Sequence, residues 1–241
     1  MLDSQGNSLA PSVVDQVEAG IKNDLFDGLL SANLTLYRIV NSNQTQAVQQ
    51  FLSGTAAPNP GYNPRFPNAQ ELAGQVTSQG LEVDVQSKPM QGWSLIAGYS
   101  YNRAAYTKSN LYENGSRLRY NPAHTANLSL FYDFSSAFGE GWPRGLTAGA
   151  TGYFVGDRLG GRNPRLYAPT GAPLAGTDAN KFIALPNYFL FDATLGYSYG
   201  RTSLRLKAAN LLNALSYNVH DDNSVNPIAP RAYAATVGYR F

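Results

Sequence analysis

The chain of 241 residues carries 18 Lys and Arg against 16 Asp and Glu, a formal net charge of +2 at pH 7, and no Lys/Arg run typical of a nucleic-acid surface. Charged residues are only 14% of the chain, against about a quarter in soluble domains, whereas Gly and Tyr are abundant. The absence of cysteine excludes a disulfide framework and a Cys-based zinc site, and no apolar run reaches the roughly 18 residues that a membrane-spanning helix needs.

Nine segments alternate apolar and polar residues, and this period of two predicts half-buried β-strands. In chain order they are Val17–Lys22, Leu30–Tyr37, Leu81–Gln86, Trp93–Tyr101, Ala126–Phe134, Leu146–Val155, Phe189–Tyr199, Ser203–Ala209 and Ala232–Phe241. The charges of a segment lie on one face, as in a porin-like wall with lipid on one side and a lumen on the other. A soluble sandwich with one wet face is the alternative.

The connections between these segments alternate between short and long. The short ones are Leu25–Gly28, Lys88–Gly92, Ser135–Gly145 and Gly200–Arg201, and the long ones are Asn41–Ser78, Asn102–Thr125, Gly156–Asn187 and Asn210–Arg231. Long loops are uncommon in compact soluble domains, whereas short periplasmic turns and long extracellular loops are typical of outer-membrane barrels. The sequence therefore predicts an all-β fold, an antiparallel transmembrane β-barrel segment of about nine strands.

Aromatic residues support one orientation of these strands. If Phe241 lies at the periplasmic rim, a periplasmic belt comprises Trp93, Tyr132, Phe134, Tyr197, Tyr199, Tyr239 and Phe241, and a belt at the opposite edge comprises Tyr37, Tyr99, Tyr101, Tyr188 and Phe189. Because nine is an odd number, the first strand runs in the same direction as the last. We therefore expect the chain to begin in mid-barrel, as the C-terminal portion of a larger barrel.

Short motifs in a fixed order resemble the C-terminal half of TonB-dependent outer-membrane receptors, most closely the ferric-siderophore branch. The motifs are Val17–Lys22 with Leu25–Gly28, Ser78–Asp84, Trp93–Leu95 with Gly98–Tyr101, Asn121–His124, Leu185–Tyr188 with Asp192, Asn210–Asn213 with Tyr217, and Pro230–Arg231. They extend over nearly the whole chain.

The resemblance implies a barrel of about 22 strands that is plugged by an N-terminal domain. It implies substrate binding on the extracellular side and energy from the TonB complex of the inner membrane, which acts on a short N-terminal box. Residues 1–241 are then the C-terminal part of the barrel, without plug domain, TonB box or signal peptide. The resemblance also implies that the β-barrel assembly machinery recognises the terminal strand with Tyr239 and Phe241.

Nothing in the sequence predicts catalysis, a cofactor or a metal site. Glu82 and Asp84 share one face of a strand, where we expect them to meet Arg205, Lys207 or plug residues rather than to act as an acid–base pair. Three adjacent residues rarely converge on one ion, so His220-Asp221-Asp222 is not predicted to bind metal. His124 is expected to cap or pack at a strand entrance.

Loop arginines and aromatic residues are the candidates for ligand binding. They are Tyr62, Phe66, Tyr112, Arg158, Arg162, Arg165, Tyr167 and Phe182. A ferric siderophore is a compact, oxygen-rich and often anionic chelate, which Arg donors and aromatic walls suit. Alternatively, the aromatic residues pack against one another and the arginines contact lipopolysaccharide phosphates.

We therefore expect a receptor and transporter for ferric siderophores in the outer membrane of a Gram-negative cell, driven by TonB and without enzymatic activity. A structural barrel or passive pore, a receptor for cobalamin, haem or a sugar, and a product without activity are the alternatives.

Overall fold

A computed structural model describes residues 1–50, 57–138, 144–161, 165–167, 173–177, 182–219 and 224–241, with the backbone alone for 165–167 and 173–177. Nine strands form one antiparallel sheet in which neighbours in sequence are neighbours in space. They are β1 (Val13–Leu25), β2 (Leu30–Ala47), β3 (Gln70–Ser87), β4 (Trp93–Lys108), β5 (His124–Asp133), β6 (Leu146–Val155), β11 (Tyr188–Tyr199), β12 (Thr202–Ala209) and β15 (Ala232–Tyr239).

Shorter elements lie in the connections. A single helical turn, α1 (Ser135–Phe138), follows β5, and three small two-stranded ladders lie in the long loops after β6 and β12. Their strands are β7 (Arg158–Gly161) with β10 (Phe182–Leu185), β8 (Arg165–Tyr167) with β9 (Pro173–Thr177), and β13 (Tyr217–Val219) with β14 (Val225–Pro227). None of the helical residues in the described ranges forms a helix of the length and hydropathy needed to cross a membrane.

All nine predicted strands are confirmed, but several extend further than their apolar alternation. The link predicted as Asn41–Ser78 shrinks to residues 48–69, because β2 continues to Ala47 and β3 begins at Gln70. The link predicted to begin at Asn102 likewise starts only after Lys108. The added residues are mostly polar, so they lack the alternation. Backbone pairing nevertheless continues there, with register shifts after Asn41.

Cross-strand register gives the sheet an apolar face and a polar face. One continuous row of the apolar face is Ile21, Leu34, Val83, Tyr99, Ala126, Phe154 and Phe189. The next row of the polar face is Lys22, Asn33, Asp84, Gly98, Asn127, Tyr153 and Leu190. Large apolar side chains such as Leu34 and Phe189 are solvent-exposed in the isolated chain, which suits a face that contacts lipid.

The aromatic belt at the end of the short turns is confirmed. The rings of Trp93 and Tyr132 lie 4.5 Å apart across β4 and β5, and the ring of Phe134 lies 4.7 Å from that of Tyr132. The rings of Tyr239 and Phe241 meet edge to face at 5.3 Å. An aromatic girdle at one rim is a regular feature of membrane barrels.

The prediction of an aromatic belt at the opposite edge is wrong for two of its residues. Tyr37 and Tyr188 lie on the polar face, because they fall in the other parity of their strands from Leu34 and Phe189. Tyr37 is half-buried there. The opposite residue, Gly80, leaves room for this ring, since a Cβ there would lie 2.9 Å from the Tyr37 hydroxyl oxygen.

The sheet is open between β1 and β15 over the residues described. Each of these strands pairs along one side only, β1 with β2 and β15 with β12, and every residue of β1 is exposed. Because each strand in the series is antiparallel to its neighbour, the two edge strands of a nine-stranded sheet run in the same direction.

We expect Leu128→Arg to destabilise the membrane-inserted barrel by about 2–4 kcal/mol, the cost of a charge on the lipid-facing side near mid-membrane. Asn127→Arg is the matched control, because the neighbouring side chain lies on the polar face of the same strand. Urea unfolding in lipid vesicles measures the free energy of unfolding of both variants. Equal losses for the two variants would contradict the assignment of the faces.

Candidate ligand-binding loops

The segment 157–161 lies in the 156–187 loop, includes β7 and contacts two other long loops. The peptide N–H of Tyr120, in the 109–123 loop, donates to the carbonyl of Leu159 at 2.8 Å. Arg119 Nη1 donates to the carbonyl of Gly161 at 3.0 Å. Three long loops therefore meet at this strand, since the 210–231 loop contacts it as well, through Arg158.

An ion pair at the surface joins the 109–123 loop to the 156–187 loop. Arg117 Nη1 lies 2.9 Å from Asp157 Oδ2. This hydrogen bond, together with the guanidinium charge, holds the pKa of the Asp157 carboxyl below its ordinary value. The pair therefore contributes at pH values above the ordinary carboxyl pKa, and the contribution is lost as the pH falls through the lowered pKa. Both side chains are exposed, so salt screens the pair and its stabilising effect is small.

Tyr112, a predicted ligand-binding residue, is part of a stack of rings. It lies on the buried Tyr106, with the ring centroids 4.4 Å apart and the planes inclined by 21°. The Arg119 guanidinium carbon is 5.5 Å from the Tyr112 centroid, and Arg119 Nη2 donates to the Tyr112 hydroxyl at 3.2 Å. The stack fixes the ring of Tyr112 and leaves it half-buried.

Arg158, another predicted ligand-binding residue, is buried and bonded to protein acceptors. Its Nη1 donates to the Pro186 carbonyl at 3.3 Å. Its Nη2 donates to Ser216 Oγ at 3.3 Å and to the carbonyl of Tyr217. The guanidinium carbon lies 4.8 Å from the centroid of the Tyr188 ring.

Tyr62 and Phe66 lie apart from this cluster, on the 48–69 loop. Phe66 is exposed and lines a small hollow with the N-terminal residue Leu2, whereas Tyr62 is half-buried. The N-terminal segment holds this loop, because Asn63 Nδ2 donates to the Ser4 carbonyl at 2.9 Å.

The structure thus brings together three of the predicted residues, Tyr112, Arg158 and Phe182, around β7, where Phe182 pairs with Gly161. Arg165 and Tyr167 are described by their backbone only, as the ends of β8, and Arg162 lies outside the described residues. Ligand contact by all eight candidates stays a prediction, as does recognition of Tyr239 and Phe241 during assembly.

The charged residues on the polar face are arranged differently from the expectation. Lys207 Nζ lies 3.6 Å from Asp192 Oδ2 on the neighbouring strand β11. Glu82 and Asp84 lie on β3, which four strands separate from β12, so they do not meet Arg205 or Lys207.

No group of metal-binding side chains occurs in the described ranges, and His220-Asp221-Asp222 falls outside them. His124 packs as expected. Its Nδ1 shares a hydrogen bond with the Tyr99 hydroxyl at 2.8 Å, and its ring centroid lies 5.0 Å from that of Tyr101.

Asn210 organises the 210–231 loop, a role that was not predicted. Its buried Nδ2 donates to the carbonyls of Ala214 and Ala229 at 3.0 and 3.1 Å, and its Oδ1 accepts from the Ala214 N–H at 2.8 Å. Its own N–H donates to Asp192 Oδ1 at 2.9 Å. Asn210 has a φ of +48°, a left-handed conformation that Asn tolerates better than most residues. An Asn directly after an alternating strand is the signal that could have indicated this turn.

Comparison with known proteins gives a family match. The family profile described as "TonB dependent receptor-like, beta-barrel" matches residues 2–213. The metal-pseudopaline receptor CntO of Pseudomonas aeruginosa is 34% identical over 159 residues, which are 66% of this chain and 20% of that protein. The ferrioxamine B receptor of Salmonella typhimurium is 29% identical over 209 residues, which are 87% of this chain and 24% of that protein.

Solved structures share the fold. The ferripyoverdine receptor of Pseudomonas aeruginosa, bound to ferripyoverdine, superposes with a TM-score of 0.75 at 19% identity over 99% of this chain and 28% of that one. BauA, the ferric preacinetobactin receptor of Acinetobacter baumannii, gives 0.69 at 20% identity over 97% and 30%. The chain spans from a fifth to a little under a third of the length of these four proteins.

We expect Asn210→Gly to raise local opening of the 210–231 loop about 30-fold. Glycine accepts the left-handed φ, so the change isolates the loss of the side-chain hydrogen bonds, worth about 2 kcal/mol together. Amide hydrogen exchange of residues 210–219 measures the opening. Leu212→Ala, at an exposed position in the same turn, is the control, and unchanged exchange in Asn210→Gly would contradict the role of the Asn210 side chain.

Proposed function

Because this chain belongs to the TonB-dependent receptor-like β-barrel family, whose members are transport receptors of the Gram-negative outer membrane, we propose that it supplies wall strands and extracellular loops to a ferric-siderophore receptor. The observation that carries the proposal is the meeting of three long loops at β7, on the opposite end of the sheet from the aromatic belt of the short turns. This meeting of loops supports a position of the arginine and aromatic side chains at the outer mouth of the wall.

The chemistry of these loops suits an oxygen-rich, anionic chelate. Arginines can give charge-assisted hydrogen bonds to carboxylate, hydroxamate or catecholate oxygens, and ordered rings give contact area at little entropic cost. Relatives of this chain are receptors for pseudopaline-bound metal and for ferrioxamine, which supports the same class of substrate here. In this proposal, Phe66 and the predicted residues other than Arg158 contact the chelate.

The edges of the sheet bear on the arrangement of the whole barrel. Two strands that run in the same direction cannot pair antiparallel with each other, so closure around β1 and β15 requires an odd number of further strands. We propose that residues outside this segment supply them, to a total of about 22, together with the plug and the box through which the TonB complex acts. Recognition of Tyr239 and Phe241 by the barrel-assembly machinery is part of the same proposal.

A strain without the receptor that contains these 241 residues is expected to lose uptake of one radio-iron siderophore from a panel of hydroxamate, catecholate and mixed chelates. Plasmid copies should restore the uptake, and removal of TonB should abolish it. Loss of cobalamin, haem or sugar uptake instead would overturn the siderophore assignment. Uptake that persists without TonB would favour a passive pore.

A row of polar side chains on the outward side supports a contact with lipopolysaccharide. Arg38, Gln79 and Arg103 are neighbours on β2, β3 and β4, all are exposed, and they lie two residues beyond the row that ends in Tyr101. On this face, Asp15 on β1 is the nearest acidic position by register. Two arginines directly above an apolar, aromatic surface suit the phosphates of an outer-leaflet glycolipid.

Arg38→Gln with Arg103→Gln is expected to lower the lipopolysaccharide that copurifies with the receptor at least about two-fold, because two charge-assisted contacts are lost. Phosphate analysis of the purified protein measures the amount. Arg205→Gln is the control, since it removes one positive charge from the polar face. A similar loss in the control would contradict a specific contact.

A further inference from the structure

Arg158 has no side open for a bulky ligand. It is only 6% exposed, both of its terminal nitrogens donate to protein oxygens, and the Tyr188 ring covers its guanidinium. The acceptors belong to two different loops, Pro186 to the 156–187 loop and Ser216 and Tyr217 to the 210–231 loop. Its donors therefore bridge the loops.

A second contact joins the same two segments two residues further along β7. A Cβ at Gly160 would lie 3.2 Å from Val219 Cγ2, closer than ordinary van der Waals contact. A side chain at position 160 would have to move Val219 by a few tenths of an ångström, so glycine favours this close approach of β13 to β7. Ser216 is itself buried, and its carbonyl accepts from the Ile228 N–H at 2.9 Å, so the Arg158 contact reaches the far side of the 210–231 loop.

Alternate residues of the segment 157–161 contact different loops. Asp157, Leu159 and Gly161 bind residues 117–120 through a side chain or carbonyls, whereas Arg158 and Gly160 contact residues 216–219. Between this segment and the described residues of the 210–231 loop, the hydrogen bonds come from Arg158. A lysine could not replace it, because an ammonium lacks the planar fork of donors that reaches acceptors in both loops.

We propose that Arg158 is a positioning residue that fixes the 210–231 loop against β7, so that both loops meet the ligand as one surface. Arg158 itself does not bind the ligand. That these loops bind a ligand rests on the proposed function, whereas the coupling of the loops is a property of the protein alone. Loss of Arg158 therefore weakens ligand binding indirectly, by releasing the 210–231 loop.

The first test needs no ligand. In the full-length receptor in outer membranes, a thiol introduced by Val219→Cys is packed against β7, and these 241 residues contain no other cysteine. We expect Arg158→Met to raise the rate of maleimide labelling of this thiol about tenfold, because hydrogen bonds from a charged group are lost. Arg117→Met, which removes an arginine from the other side of the same segment, should leave the rate unchanged. Equal maleimide-labelling rates for Val219→Cys with and without Arg158→Met would overturn the proposal.

The second test separates positioning from direct contact. Gly160→Cys with Val219→Cys places two thiols where an oxidised bridge would replace the Arg158 connection. With the radio-iron siderophore identified by the uptake panel, we expect Arg158→Met to weaken binding about tenfold. Oxidation of the thiol pair in the Arg158→Met background should restore the affinity to within about two-fold, and reduction should abolish the rescue.

A cross-link that forms but does not restore affinity would overturn the proposal and make Arg158 a ligand donor. Heat-modifiable mobility of every variant shows that the barrel is folded. If no ferric siderophore binds to the unmodified receptor, the proposed function fails, whereas the labelling rates still decide whether Arg158 couples the loops.

Discussion

Backbone hydrogen bonding is the constraint on which the rest of this structure depends. A strand in hydrocarbon finds no water for its N–H and C=O groups, so each strand must be paired on both sides. Seven of the nine strands of the sheet meet this requirement within the chain, through an antiparallel ladder in which every neighbour in sequence is a neighbour in space. The alternation of side chains follows from the ladder, since successive residues point to opposite faces.

The same ladder explains why the strands extend beyond the apolar zone. Residues 41–47 of β2 and 70–76 of β3 continue to pair although they lack the regular apolar alternation. Buried Gln46 at their far end donates to Ser109 Oγ at 2.9 Å, so the extended hairpin supports the loop that follows β4. The membrane wall and the base of the extracellular surface are thus one continuous element, which gives the loops rigid attachment points.

Sequence periodicity was sufficient to locate all nine strands, because lipid and lumen impose opposite polarity on alternate residues. It could not give the ends of β2 and β3, where both faces are polar, nor the direction of Tyr37, whose ring lies over Gly80 on the polar face. The loops were less predictable for a different reason. Arg158 and Asn210 act through partners that are distant in sequence, and a loop has no period from which such partners follow. Composition suggested a ligand donor at position 158, and only the fold shows that its donors are occupied.

The two edges of the sheet differ in a way that affects the chain before it is inserted. On β1 the charged residues Asp15, Glu18, Lys22 and Asp24 interrupt the strand, and charges of this kind discourage unwanted pairing. The sequence of β15, Ala-Tyr-Ala-Ala-Thr-Val-Gly-Tyr, has no charge and no proline. Uncharged segments of high β-propensity are the ones that form cross-β aggregates when exposed. In water, the C-terminal edge is therefore the more aggregation-prone side of this sheet, whereas the charges of β1 oppose unwanted pairing at the other edge.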